Sequence, residues 1–146
     1  MARIKLDLPE HFVFSTEIRL GIGSINYGGH MGNDAALTLL HEARIRFLHS
    51  LGFTELDIAG RGLIQTDAAL VYKAEAFWGD VLVVELALAD FNKYGCDFCY
   101  RVRRPSDGRD ILHAKTGMLF FNYDTRKPAS IPQAFATALH LEISET

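Results

Sequence analysis

Asn26, Tyr27, His30, Asn33 and Asp34 fall within one nine-residue stretch, interleaved with Gly28, Gly29 and Gly32. Histidine is the side chain that changes charge near neutral pH, so His30 is the candidate base; its simpler role is a hydrogen bond to a loop carbonyl. Asn26 can orient a water or polarise a carbonyl, or only shape a turn. Just downstream the glycine loop gives way to a long helical pattern, and the first-turn N–H groups of a helix favour a developing negative charge. A proton acceptor beside an anion-stabilising helix start is machinery for attack on a carbonyl. Asp34 and Glu42 compete to supply a carboxylate, with Asp34 read first as a helix cap and Glu42 equally as half of an i,i+4 pair with Arg46. His41 is the third contender, against a satisfied core or interface histidine, and Tyr27 reads as the wall of a pocket.

The element that must carry these groups is the helix from Asn33 or Asp34 to a stop at Gly52. Asn33 and Asp34 are good cap residues, Gly52 suits a left-handed C-terminal position, and no proline or glycine intervenes. Ala36, Leu37, Leu39, Leu40, Ala43, Ile45, Phe47, Leu48 and Leu51 exceed a single apolar stripe, so the helix is expected to be wrapped on most sides.

Before it, His11 to Leu20 alternates bulky and polar residues and reads as a first strand. After it the period changes to two, giving candidate strands at Leu63 to Ala76, Asp80 to Phe91, Cys96 to Arg104 and Asp110 to Tyr123. Trp78-Gly79-Asp80, Asn92 to Gly95 and Pro105-Ser106-Asp107-Gly108 separate them as turns, which predicts a mostly antiparallel meander. Ile131 to Leu141 is weakly helical and precedes an acidic Ile-Ser-Glu-Thr end. A strand, a long apolar helix and four more strands pack best as a curved sheet around the helix, the α+β class, with a second copy covering the exposed edge and flank.

At 146 residues and 49% hydrophobic content, the chain is expected to form one domain over 1–146. A net charge of -3 lacks the basic stripe that a nucleic-acid partner needs. The opening Met-Ala-Arg-Ile-Lys-Leu-Asp-Leu-Pro-Glu-His-Phe has no apolar signal core and no later run has membrane length, so the expectation is a cytoplasmic protein without membrane contact. Cys96 and Cys99 form a C-x-x-C, but residues three apart on a strand point to opposite faces and cannot chelate together. Arg101, Arg103, Arg104 and Lys115 supply local positive charge, and Asp67 interrupts a strand.

The Gly29-His30-Met31-Gly32-Asn33 loop, Glu42-Ala43-Arg44 on the helix, the Ala76-to-Asp80 turn and the stretch from Asp124 to Pro132 resemble the hotdog-fold acyl-CoA thioesterases, in particular the 4-hydroxybenzoyl-CoA thioesterase-like group. The resemblance runs from about Phe12 to Phe135. It implies a hotdog fold, a long central helix wrapped by a curved antiparallel sheet of about five strands. It also implies a homodimer, or a dimer of dimers, with acyl-CoA in a cleft between subunits. The thioester carbonyl would sit at the helix start, near the amides of Gly32 and Asn33. Coenzyme A enters as part of the substrate, and no separate cofactor or metal is expected.

The sequence departs from the family at instructive places. Many relatives carry an aspartate seven residues before the anion-hole amide, where Asn26 stands here. Others pair an asparagine and a glycine three residues on, as Asn26 and Gly29 do, with a helix acid that falls at His41. A third branch has a Gly-His-Val-Asn-Asn loop, which His30 and Asn33 resemble. The reading is thioester hydrolysis by Asn26, His30, the Asn33 amide and a helix carboxylate, Glu42 first, with Tyr27, Gly32, Asp34 and His41 contacting substrate. A β-hydroxyacyl thioester dehydratase and a non-catalytic acyl-CoA binding module are the rival readings.

Overall fold

A computed structural model describes residues 3–140, so the predicted helix end at Leu141 and the acidic terminus lie outside the described residues. Strand β1 (Phe14–Arg19) leads through a short 3-10 turn (Ile22–Ser24) and the glycine loop into helix α1 (Asn33–Ser50). Then come β2 (Gly62–Tyr72), β3 (Val81–Ala89), β4 (Gly95–Arg104), β5 (Arg109–Asn122), a two-residue β6 (Lys127–Pro128) and a short α2 (Gln133–Ala138). Every pairing is antiparallel, in the order β1-β3-β4-β5-β2, with β6 on β5.

One face of this sheet lies against α1. Leu82, Val84 and Leu86 of β3, Phe98, Tyr100 and Val102 of β4, and Leu112, Ala114 and Phe120 of β5 join Leu39, Leu40, Ala43, Phe47 and Leu48 of the helix in one apolar cluster. Phe47 stands edge-on to Phe98 at 5.9 Å and tilted to Phe14 at 5.5 Å, a favourable aromatic geometry. Gly52, at φ +84°, ends the helix: its N–H bonds the His49 carbonyl and the Phe53 N–H bonds that of Leu48, the two bonds of a Schellman motif.

The structure corrects five expectations. Only β3, β4 and β5 form a meander, because β2 pairs with β5 at the far edge and the Trp78-Gly79-Asp80 segment crosses the sheet end instead of closing a hairpin. Period-two alternation marks a strand without choosing its neighbour. Strand β2 stops at Tyr72, so residues 73–76 leave the ladder, and β1 starts at Phe14 rather than His11. The N-cap of α1 is Gly32, with no side-chain cap; Asn33 and Asp34 are its first two helical residues. Finally, α1 is not wrapped on most sides, since Leu37, His41, Glu42 and Ile45 form an exposed stripe.

The cysteines behave as strand alternation requires. Cys96 faces the core and Cys99 the opposite side, both buried and unpaired. Burial, reinforced by the Asp97 charge, pushes the Cys96 thiol up to about 12 and the Cys99 thiol up to about 11.

Candidate active site

The glycine loop closes on itself. Asn26 N–H donates to the His30 carbonyl at 2.9 Å, Gly29 N–H donates to the Asn26 carbonyl at 3.0 Å, and the Asn26 Oδ1 accepts the Gly28 N–H at 2.9 Å. Gly29 supplies the left-handed residue at φ +84°. Asn26 thus forms an Asx-type turn through its oxygen and keeps its NH2 group for other partners.

Two bonds then fix where the helix begins. Met31 N–H donates to the Ala76 carbonyl at 2.7 Å, and Gly32 N–H donates to the Ser24 carbonyl at 3.1 Å. The Gly32 amide is therefore already engaged, whereas the Asn33 amide opens the first turn with no side chain capping it. A helix start left this way is an electropositive donor.

His30 sits beside that donor, half-exposed. Its Nδ1 lies 3.3 Å from the Met31 carbonyl. A carbonyl oxygen only accepts, so in the tautomer with the hydrogen on Nδ1 this contact is a hydrogen bond and Nε2 is free to take a proton. Nε2 lies 3.9 Å from Glu75 Oε1. His30, Met31 and Asn33 share a cavity of about 300 Å³ with Tyr72, Lys73, Ala74, Glu75 and Ala76. Burial raises the Tyr72 hydroxyl above its ordinary value, so at neutral pH it remains a hydrogen-bond donor.

The other sequence-designated residues fall elsewhere in the protomer. Glu42 pairs with Arg46 at 3.7 Å, and Arg46 also donates to the Thr16 hydroxyl at 2.9 Å and the Glu17 carbonyl at 2.8 Å. Glu42 lies nine positions after Asn33, about 13.5 Å along the helix. His41 Nε2 contacts Glu55 Oε1 at 3.0 Å on the rim of a second cavity of about 380 Å³, lined also by Ile45, His49, Phe53 and Leu56. Tyr27 projects fully into solvent at the loop tip. Asp34 Oδ1 folds back toward Gly32, 2.7 Å from where a Cβ on that glycine would stand.

Lys73 and Glu75 were hidden in the sequence because they continue the alternation of β2; the Lys-Ala-Glu-Ala run before the Trp-Gly-Asp turn was the available signal. Glu55, in the connector after α1, carries no periodic or motif signal, yet it accepts a bond from Arg44 Nε at 3.2 Å. Arg44, only 5% exposed, also donates to the Tyr100 hydroxyl at 3.1 Å, which meets the Thr116 hydroxyl at 2.8 Å. Burial raises Tyr100, and the Arg44 charge opposes that rise.

The basic residues noted on the strands have carboxylate partners: Arg101 and Arg103 on Glu85, Lys115 on Asp97, and Arg104 on Asp80 and Asp107. Asp67 accepts the Gly117 N–H at 2.9 Å across a break in the β2–β5 register. Among the described residues, no group of three histidine, cysteine or acidic side chains is placed to hold a metal ion, and no helix is long and apolar enough to cross a membrane.

A long helix lying against one face of a curved antiparallel sheet defines the hotdog architecture. The chain belongs to the thioesterase-like superfamily, whose family model matches residues 20–139. Among solved structures it is similar to a 1,4-dihydroxy-2-naphthoyl-CoA thioesterase from Synechocystis, at 22% identity and a TM-score of 0.80 over 87% of this chain and 95% of that one. A Staphylococcus aureus protein solved in complex with CoA aligns at 20% identity and a TM-score of 0.79, over 93% of this chain and 86% of its own. A gentisyl-coenzyme A thioesterase aligns at 19% identity and a TM-score of 0.76, over 86% of this chain and 99% of its own. At such identities these likenesses speak for the fold. No curated protein sequence matches the chain.

Proposed function

We propose that this protein is a cytoplasmic thioesterase that hydrolyses an acyl-CoA, or an acyl carrier protein thioester, to a free acid and a thiol. The observation that carries the reading is the uncapped start of α1 opening beside His30 into a cavity. His30 Nε2 takes a proton from water as the oxygen attacks the thioester carbonyl, and the Asn33 N–H holds the oxyanion. The C–S bond then breaks and the proton on His30 passes to the departing thiolate. The Asn26 NH2 group orients the water. The CoA complex of the similar Staphylococcus aureus protein favours coenzyme A as the carrier.

The working unit is a homodimer or a dimer of dimers. Among the described residues one side of β2, eleven residues long, has no strand partner, and Leu37 and Ile45 are exposed on α1. A long open edge and exposed apolar side chains both favour assembly. In that assembly Glu42, His41 and Tyr27 reach toward the cleft from the open face of α1 and the loop tip.

The test is a thiol-release screen across acyl-CoA chain lengths and aromatic acyl groups, run with His30→Asn alongside. Release that falls about 10²- to 10⁴-fold in the variant is expected. Background-level release across the whole panel overturns the reading, and enoyl formation without thiol release turns it toward dehydration.

A further inference from the structure

Glu75 faces His30 from a segment with little ladder support. The chain leaving β2 keeps two bonds to the Ile111 carbonyl, from Lys73 N–H at 2.9 Å and Ala74 N–H at 3.3 Å, and then departs across the sheet end. Beyond Glu75, the Ala76 carbonyl is held by the Met31 N–H at 2.7 Å. The peptide between them is held by Arg104, whose Nη1 donates to the Glu75 carbonyl at 2.9 Å.

Arg104 ends β4 and is only 8% exposed. The same Nη1 reaches Asp80 Oδ2 at 2.9 Å, and that oxygen accepts the Phe77 N–H at 2.9 Å. Its Nε and Nη2 bond Asp107 Oδ2 at 3.1 and 2.8 Å. One guanidinium thus joins the β4–β5 hairpin, the turn before β3 and the cavity wall. Lysine, a single point charge, cannot serve three acceptors spread around a planar fork.

We infer that Arg104 is a positioning residue for the active site: by fixing the Glu75 carbonyl it turns the Glu75 carboxylate toward His30. With Ala74 N–H bound on one side and the Glu75 carbonyl on the other, the backbone at Glu75 has little freedom. Removing the guanidinium frees the peptide that follows Glu75, and its carboxylate moves away from the imidazole. This rests on the reading of His30 as the base, and it adds to that reading a residue that touches neither substrate nor His30.

The experiment compares wild type with Glu75→Gln, Arg104→Lys, Arg104→Gln and the Glu75→Gln/Arg104→Gln double variant. Two readouts are taken: the His30 imidazole NMR signals at one fixed pH, assigned by their loss in His30→Asn, and kcat and KM for thiol release. Both Arg104 variants are expected to move the His30 signals in the direction Glu75→Gln moves them, with the double variant adding nothing to the single changes. The expected kinetic effect is a fall of about 10- to 100-fold in kcat with KM nearly unchanged, the signature of misplaced chemistry. Arg104→Lys covers the case in which Arg104→Gln fails to fold. Unmoved His30 signals in a folded Arg104 variant, with changes confined to residues 105–108, overturn the inference. Should wild type release no thiol while the His30 signals move as described, the positioning stands and the hydrolase reading falls.

Discussion

A methyl group on Gly32 separates the site from the stability of the fold. Gly32 has φ -75° and ψ 159°, ordinary extended backbone, so alanine is not strained there. Its Cβ would stand 2.7 Å from Asp34 Oδ1 and 3.6 Å from Asn26 Cβ. The first contact is too close, but it meets the far end of an exposed side chain, which can swing away. At an N-cap alanine is poorer than glycine by about 1 kcal/mol, and the restricted unfolded chain offsets roughly 0.4–1 kcal/mol of that. The net change is within about 1 kcal/mol, a Tm shift of at most about 4 °C for a chain of this size. Activity should respond far more. An oxyanion bonded to the Asn33 N–H must approach within about 3 Å of that nitrogen, one peptide from the new methyl. Losing such a donor costs about 10²- to 10³-fold in kcat, roughly 2.7–4 kcal/mol. The assay pairs thermal melts with thiol release for Gly32→Ala and for Gly23→Ala, whose added Cβ meets nothing within 4 Å. Gly23→Ala should match wild type in both measurements. A Gly32→Ala enzyme that melts normally and keeps its rate within about twofold would refute the placement of the carbonyl at this helix start.

Arg44→Met should lower stability by about 2–3 kcal/mol, because bonds to the Glu55 carboxylate and the Tyr100 hydroxyl are lost from a buried site; thermal or urea unfolding reads this, and a change below about 0.5 kcal/mol contradicts it. Asp97→Asn should raise Tm at pH 7 and lose that advantage near pH 3. Burial first, and a hydrogen bond with Asp90 second, raise the Asp97 carboxyl in the folded protein, against the pull of Lys115. The folded state therefore holds the proton more tightly, and Asp97 stabilises less as pH rises from its unfolded value through its raised folded value. Melting curves across that range test the sign. Cys96 and Cys99, with thiols near 12 and 11, should resist alkylation at pH 8 until the chain unfolds, which mass spectrometry after iodoacetamide treatment measures. Rapid labelling of the folded protein would contradict their burial.

Much of the fold is legible in local chemistry. The span of α1, its stop at Gly52, the Pro105-to-Gly108 hairpin with Gly108 at φ +71°, and the opposed cysteines follow from periodicity and turn residues that act within a few positions. His30 and Asn33 come to one cavity because loop and helix start are contiguous in the chain. The rest depended on residues distant in sequence. Whether β2 lies beside β3 or β5 depends on which ladder leaves the helix covered, and alternation is the same either way. That choice turns residues 73–76 from strand into cavity wall and brings Glu75 to His30. It also sets Arg104 as the buried tie between three segments, where the sequence shows only one of several basic residues on a strand. The amino-acid order determined which elements form and which side chains can do chemistry. Tertiary packing decided which carbonyl took the Gly32 amide and which carboxylate met the imidazole, because hydrogen bonds between remote segments exist only once the sheet has packed against the helix.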